Sequence, residues 1–179
     1  MNITGNTVVA NVLNTQNKTA SNAVITIRPS PSADTRSATH LISEEELRKS
    51  TEMHISDVKQ GMQYLAELIK DRGDRHDWTK LQYFASFYKQ FTQAQKTGCW
   101  GNGWYDKTHC VYERHHIEDG CPEDVNLIDI LEHIVDCVMA GKARAGEFKL
   151  DILGAGILEQ AYANTQKMLA DAVRVKAEI

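Results

Sequence analysis

Residues 43–73 read SEEELRKSTEMHISDVKQGMQYLAELIKDRG, and this stretch decides the fold. Ser43 followed three residues later by Glu46 is a capping box, in which each residue satisfies a free amide of the other at a helix start. Val58, Met62, Leu65 and Ile69 then recur at the spacing of one helix face. His54 lies in phase with them, one turn earlier, and is expected to point inward. Gly73 is expected to end the helix just before His76-Asp77.

The helical pattern continues outward from there. Leu81, Phe84, Phe87 and Phe91 form a second apolar face, heavy with aromatics and read as core. Gly98, Gly101, Asn102 and Gly103, with Trp100 and Trp104, mark a loop that would sit as a flap beside a site. Pro122 with Glu123 and Asp124 suits a helix start. Val125, Ile128, Leu131, Val135 and Val138 are expected to face the core, and Gly141 with Lys142 and Arg144 to close that helix. A final helix is expected over about 155–177, centred on Leu158, Ala161, Thr165, Leu169 and Ala172. The fold class that follows is all-α.

Residues 1–42 differ. They are rich in Asn, Thr, Ser and Ala, with Pro29 and Pro31, a composition that rarely builds a core. Two β-prone runs, Thr7–Val12 and Val24–Arg28, suit a hairpin or an arm laid on a second copy of the chain. The organisation expected is an extended or partly β arm over 1–42 and a helical domain over 43–179.

Composition narrows the class further. A chain of 179 residues buries one proper core, and its net charge of −4 lacks the basic excess of an electrostatic nucleic-acid binder. The four cysteines, Cys99, Cys110, Cys121 and Cys137, form no C-x-x-C pair, so reduced thiols are expected rather than disulfides or a zinc site. The N-terminus lacks a basic segment followed by an apolar run, and no apolar stretch is long enough to cross a bilayer. A cytoplasmic protein without a membrane partner is the expectation.

The chemistry lies in the histidines. Of seven in the chain, His54, His76, His109, His115 and His116 form a series with Asp77 and Asp136. Imidazole and carboxylate are the ligands that hold divalent metals in hydrolytic sites. In the adjacent His76-Asp77 both side chains can reach one ion, and the carboxylate can bridge to a second. Asp129, Glu132, His133 and Asp136 share one stripe by their three- and four-residue spacing. Asp136, beside Val135 and Val138, is costly to bury unless a cation pairs with it. His133 is expected beside the metal stripe without binding, and Asp129 and Glu132 on a solvated face. Lys80, about one turn after Asp77, is placed to neutralise a phosphate oxygen.

These residues resemble the HD-domain superfamily of metal-dependent phosphohydrolases, whose signature is a His, a His-Asp pair and a distant Asp on helices. Here those are His54, His76, Asp77 and Asp136. His76-Asp77-Trp78-Thr79-Lys80 looks like the H-D-x-x-K form of HD-GYP and related members. His115-His116-Ile117-Glu118-Asp119-Gly120-Cys121-Pro122 resembles their H-H-E…D-G…P segment, shortened. The chain looks closer still to small HD-like proteins of phages and bacteria. It offers Trp104 to His109, the pair His115-His116, Glu132 through Asp136 to Lys142, and Leu158 to Thr165. The resemblance spans roughly residues 50–170. It departs where His109 stands only six residues before His115, and where Cys137 replaces the usual Trp.

The resemblance implies an HD-like helical bundle and metal-assisted phosphoester hydrolysis. His54, His76, Asp77 and Asp136 would hold a first ion, and His115 with His116 a second ion or the phosphate. His109 stands either as a ligand or as a partner orienting one. Asp77 and Lys80 are the implied catalytic groups. Lys80, His109, Arg114 and Trp104 are the implied substrate contacts, and Trp100, Trp104 or Tyr105 would stack on a base. The cofactor implied is one or two divalent ions among Mn, Co, Ni, Fe, Zn and Mg. The partner implied is a small phosphorylated substrate such as a nucleotide, met in the cytoplasm of a host if the chain is phage-encoded. The resemblance also marks Glu132 for testing. Two alternatives stand beside this one: a di-iron HD-like oxygenase, and a metal-binding regulatory protein without turnover.

Overall fold

The computed structural model describes residues 24–30, 33–36, 38–148 and 152–176. The architecture is all-α apart from one short parallel ribbon. In chain order it comprises β1 (Ile25–Ile27), α1 (Glu44–Asp74), α2 (Trp78–Gln82), α3 (Phe84–Thr97), a π-helical turn (Tyr105–His109), α4 (Cys110–Tyr112), α5 (Ile117–Gly120), α6 (Leu127–Ala145), α7 (Ile157–Ala172) and β2 (Val173–Val175). Among the described residues, no helix is long and apolar enough to cross a membrane. The chain divides into two compact units, one of Met1–Leu68 with Met168–Ile179 and one of Ile69–Lys167.

In the first unit, β1 pairs in parallel with β2, Ile25 opposite Val173 and Ile27 opposite Val175. The β-prone run at residues 24–28 therefore finds its strand partner within the chain. The other run, Thr7–Val12, lies outside the described residues. The final helix expected to reach 177 stops at Ala172, because Val173-Arg174-Val175 supplies two β-branched residues that the ribbon accepts.

The cap of α1 forms as expected. Glu46 Oε2 accepts from the Ser43 amide at 2.8 Å, and Ser43 Oγ accepts from the Glu46 amide at 3.3 Å. Its inward stripe is displaced by one residue from the expected one. Ser50 and Tyr64 are buried, with Met53, Asp57 and Leu68 half-buried, whereas Val58 and Met62 are exposed. Apolar side chains occur on both sides of α1, so spacing alone does not fix its orientation. His54, in phase with Val58 and Met62, is exposed as a result; its expected inward orientation is corrected.

The second unit is built on Ile117, Val125, Ile130 and Ala161, with Leu127, Leu153 and Ile157 packed around them. Of the residues expected on the core face, Val125, just before α6, and Ile128 on it are buried, but Leu131 and Val135 are exposed and Ile130 is buried instead. On α7, Ala161 and Thr165 are buried and Leu158 is exposed. Polar side chains of α7 fix the approach to α6. Asn164 Nδ2 donates to the Val125 carbonyl at 2.8 Å, and Thr165 Oγ1 accepts from the Leu127 amide at 2.9 Å.

Both ends of α6 differ from expectation. It begins at Asn126 rather than at Pro122, because Asn126 and Asp129 form a reciprocal capping box. It runs past Gly141 to Ala145 and closes on Gly146, whose φ of 70° is the left-handed conformation glycine adopts without penalty. Gly141 serves a different purpose. A Cβ there would stand 3.0 Å from the Glu147 carbonyl, so the glycine admits the chain that folds back after the helix.

Candidate metal centre

Three local features place the candidate side chains. The turn after α1 sets Asp77 at φ 58°, a left-handed conformation that costs most non-glycine residues stability and that Asp tolerates better than most. The π-helical turn carries His109 at its C-terminal end, where the Cys110 amide bonds back to the Tyr105 carbonyl. The short segment between α4 and α5 presents His115 and His116, with Ile117 buried beside them.

The geometry centres on Asp77. Its Oδ1 lies 3.3 Å from His109 Nε2 and 3.8 Å from His115 Nε2. Its Oδ2 lies 3.6 Å from His76 Nε2 and 2.5 Å from Lys80 Nζ. His76 Nε2 is also 3.4 Å from Asp136 Oδ1, His115 Nε2 is 3.9 Å from Asp136 Oδ2, and His116 Nε2 is 2.8 Å from His109 Nε2. The ligand atoms of Asp77, His109, His115 and His116 lie within 4.8 Å of one another. Two atoms held about 2.1 Å from one ion stand about 3.0 Å apart at a right angle and about 3.4 Å apart at the tetrahedral angle. The shorter separations here fall in that range.

Around these atoms lies a second layer that turns the rings. Glu132 Oε1 accepts from His76 Nδ1 at 3.0 Å and lies 3.1 Å from His115 Nδ1. Thr79 Oγ1 is 2.6 Å from His109 Nδ1 and donates to Glu113 Oε1 at 2.7 Å, so His109 Nδ1 carries the proton of the shared bond. Glu113 Oε1 accepts the Thr79 amide as well, at 2.9 Å. Tyr105 Oη approaches His116 Nδ1 at 3.5 Å. Arg72 Nε lies 3.5 Å from Glu132 Oε2, and Arg72 Nη2 lies 3.1 Å from Asp129 Oδ1.

Electrostatics follow from burial and these neighbours. Burial, reinforced by the Lys80 charge, pushes His109 down to about 3, which keeps its ring neutral near pH 7. Burial works against the charge of His76, but the Glu132 bond and the nearby Asp77 and Asp136 outweigh it and raise its pKa. Burial likewise opposes ionisation of Asp77, and Lys80 overcomes it, so that carboxylate titrates below its ordinary value. Burial pushes Glu113 up.

The expected residues thus separate. His76, Asp77, His109, His115, His116 and Asp136 are brought together. His54 lies on the exposed face of α1 in the first unit and belongs to neither cluster of metal-compatible side chains in the second. His109, expected at the substrate, has a fully buried side chain against Asp77, because the π turn rotates it inward. Arg114 is not a free cation at the site. Its guanidinium clasps Asp129 at 2.9 and 2.7 Å and reaches Asp124 at 2.9 Å. Trp104 stacks on His109, ring centres 5.7 Å apart, and packs on Phe87.

Asp129 and Glu132, expected in solvent, have side chains exposed by only 0% and 6%. Asp129 is taken up by Arg72, Arg114 and the Asn126 cap, and Glu132 by the two histidines. His133 donates its Nδ1 proton to the His115 carbonyl at 2.9 Å and stays outside the group. Thr79, Glu113 and Arg72 carried no signal of their own in the sequence. Glu132 did, through its place one turn before Asp136.

Phe84, Phe87 and Phe91, expected as core, form a row of touching rings along α3 instead. Phe84 and Phe91 are exposed, and Leu81 is 80% exposed. Phe87 and Phe91, with Lys80, Gln90, Trp100, Tyr105 and Arg144, line a cavity of about 630 Å³. Lys80 and Tyr105 border both this cavity and the histidine group. The loop expected as a flap is tied to α3 by Gln90, which donates to the Trp100 carbonyl at 3.1 Å and accepts the Tyr105 amide.

No protein-family model, curated protein or solved structure matches the chain.

The residues present suit a divalent ion. Among the described residues, Asp77 Oδ1 and His115 Nε2 are buried without a hydrogen-bond partner, a costly arrangement unless a cation takes it up. Four imidazoles beside two carboxylates favour a transition metal over Mg²⁺, which prefers oxygen ligands.

Proposed function

We propose that this chain is a metal-dependent phosphohydrolase acting on a nucleotide or a related phosphoester. One observation carries it: the Nε2 atoms of His76, His109 and His115 converge on the oxygens of Asp77, with His116 Nε2 against His109, and Asp77 Oδ1 is buried without a hydrogen-bond partner, beside a lysine that opens onto an aromatic cavity. His76, Asp136 and Asp77 would hold one ion, and His109, His116 and Asp77 a second, with His115 between them. Such an ion acidifies a water and polarises a phosphoryl oxygen near neutral pH.

The chain's own groups account for the rest. Lys80, whose side chain is a quarter exposed, stands between Asp77 and the cavity and would place its ammonium on a phosphoryl oxygen. Trp100, Phe87 and Phe91 offer ring faces for a base, and Arg144 offers a further cation for an anionic group. Trp104, through its contact with His109, holds a ligand ring and leaves the substrate to these neighbours.

The test is a hydrolysis screen of nucleotides and cyclic dinucleotides with Mn²⁺, Co²⁺, Ni²⁺ and Mg²⁺, paired with metal analysis of anaerobically purified protein. Turnover that disappears in Asp77→Ala together with bound metal is the expected result. Two equivalents of iron with oxygen uptake and no phosphoester cleavage would show an oxygenase. Bound metal without either activity would show a regulatory protein.

A further inference from the structure

We infer that Glu132 is a positioning residue that turns His76 and His115 so that both bind metal through Nε2. The inference rests on the metal site proposed above. Its Oε1 lies 3.0 Å from His76 Nδ1 and 3.1 Å from His115 Nδ1, and the two rings tilt against one another with centres 4.5 Å apart. A carboxylate only accepts, so a ring presented to it by Nδ1 keeps its proton there and leaves the Nε2 lone pair outward-facing. On both rings Nε2 is the atom that faces Asp136, at 3.4 Å for His76 and 3.9 Å for His115. Glu132 itself is held, since its other oxygen lies 3.5 Å from Arg72, whose guanidinium also meets the fully buried Asp129.

His76, His115 and Glu132 also satisfy the spacing of a metal site by themselves, with Nδ1 as the binding atom. Such a site would leave the Nε2 atoms of both rings pointing at Asp77 and Asp136 for no chemical return. The orienting role accounts for both nitrogens of each ring.

Nitrogen-15 NMR of the full chain with Zn²⁺ distinguishes the two arrangements, because metallated, protonated and bare ring nitrogens resonate separately. Zinc on Nε2 of His76 and His115, with Nδ1 protonated, is the expected result; zinc on Nδ1 of either ring overturns the inference. Glu132→Ala should weaken Zn²⁺ binding about 10- to 100-fold. Glu132→Gln, whose carbonyl still accepts, should recover most of that loss, whereas a direct ligand would be lost in both variants. His109 is an internal control, since its Nδ1 is satisfied by Thr79, and its signals should not move in Glu132→Ala. If that variant does not fold, the wild-type spectrum alone decides. Neither readout involves hydrolysis, so an inactive protein that binds zinc through Nε2 overturns the proposed reaction and leaves Glu132 its role. A wild type that binds no zinc overturns both.

Discussion

His109 Nε2 and His116 Nε2 face one another at 2.8 Å, within reach of the Asp77 carboxylate. With His109 neutral and its Nδ1 proton committed to Thr79, its Nε2 presents a lone pair to the partner ring. A cation held by both nitrogens would replace the hydrogen bond between them. Loading with Zn²⁺ or Co²⁺ should therefore raise the melting temperature. At a free metal concentration of about one hundred times Kd, the gain in stability is about 2.7 kcal/mol. Chelation should reverse it. In the double variant His109→Ala, His116→Ala most of the shift should vanish, as read by thermal unfolding with and without EDTA.

Lys80 and an ion held with His76 would compete for Asp77, since the ammonium bonds Oδ2, the oxygen that faces His76 Nε2. Lys80→Ala should leave Co²⁺ affinity unchanged or tighter while lowering turnover by about a hundred- to a thousandfold, the range for losing a charge-stabilising donor. Cobalt absorbance titration alongside steady-state kinetics separates the two effects. Weaker cobalt binding in this variant would contradict the competition.

Asp129 joins three elements, pairing with Arg72 of α1 and Arg114 of the segment before α5 while capping its own helix, α6. Burial opposes the Arg114 charge, and Asp129 with Asp124 outweighs it and raises the Arg114 pKa. Removing the carboxylate leaves two guanidinium groups without their buried counter-charge. Asp129→Ala should cost about 3–5 kcal/mol in denaturant unfolding. Arg114→Ala should be destabilising too, without the direct loss of turnover expected of a substrate contact.

The first turn of α1 should respond to acid. The Ser43 amide and hydroxyl hold the Glu46 carboxyl below its ordinary value. A carboxyl with a lowered folded-state pKa binds fewer protons folded than unfolded. Its contribution is therefore present above the ordinary value of 4.5 and fades as pH falls through the lowered one. Amide exchange at the start of α1, corrected for intrinsic pH effects, should show protection lost on acidification, and Glu46→Gln should abolish that dependence.

The helical class was legible because Ser43-Glu46 and the periodic apolar residues are local signals that tertiary packing did not override. Rotation of a helix is not local, and α1 shows the consequence. With apolar residues on two sides, its packing chose the stripe through Tyr64, and His54 went outward with Val58 and Met62. The His-Asp pair and the His-His doublet announced their chemistry by type and adjacency. Glu113 and Thr79 did not, because their roles arise from a contact between residues 34 apart. Asp129 and Glu132 looked like a solvated face until Arg72 and the histidine rings, brought from elsewhere in the chain, gave their charges a reason to be buried.

The ribbon of β1 and β2 has a mechanical consequence. Its strands run parallel, and Lys176 extends it by donating to the Ile27 carbonyl at 2.9 Å. Tension between the segment before β1 and the segment after β2 pulls the two strands from opposite ends. The bonds between them are then loaded in shear, all together, instead of opening one at a time. Three residue pairs thus act as a clasp against stretching.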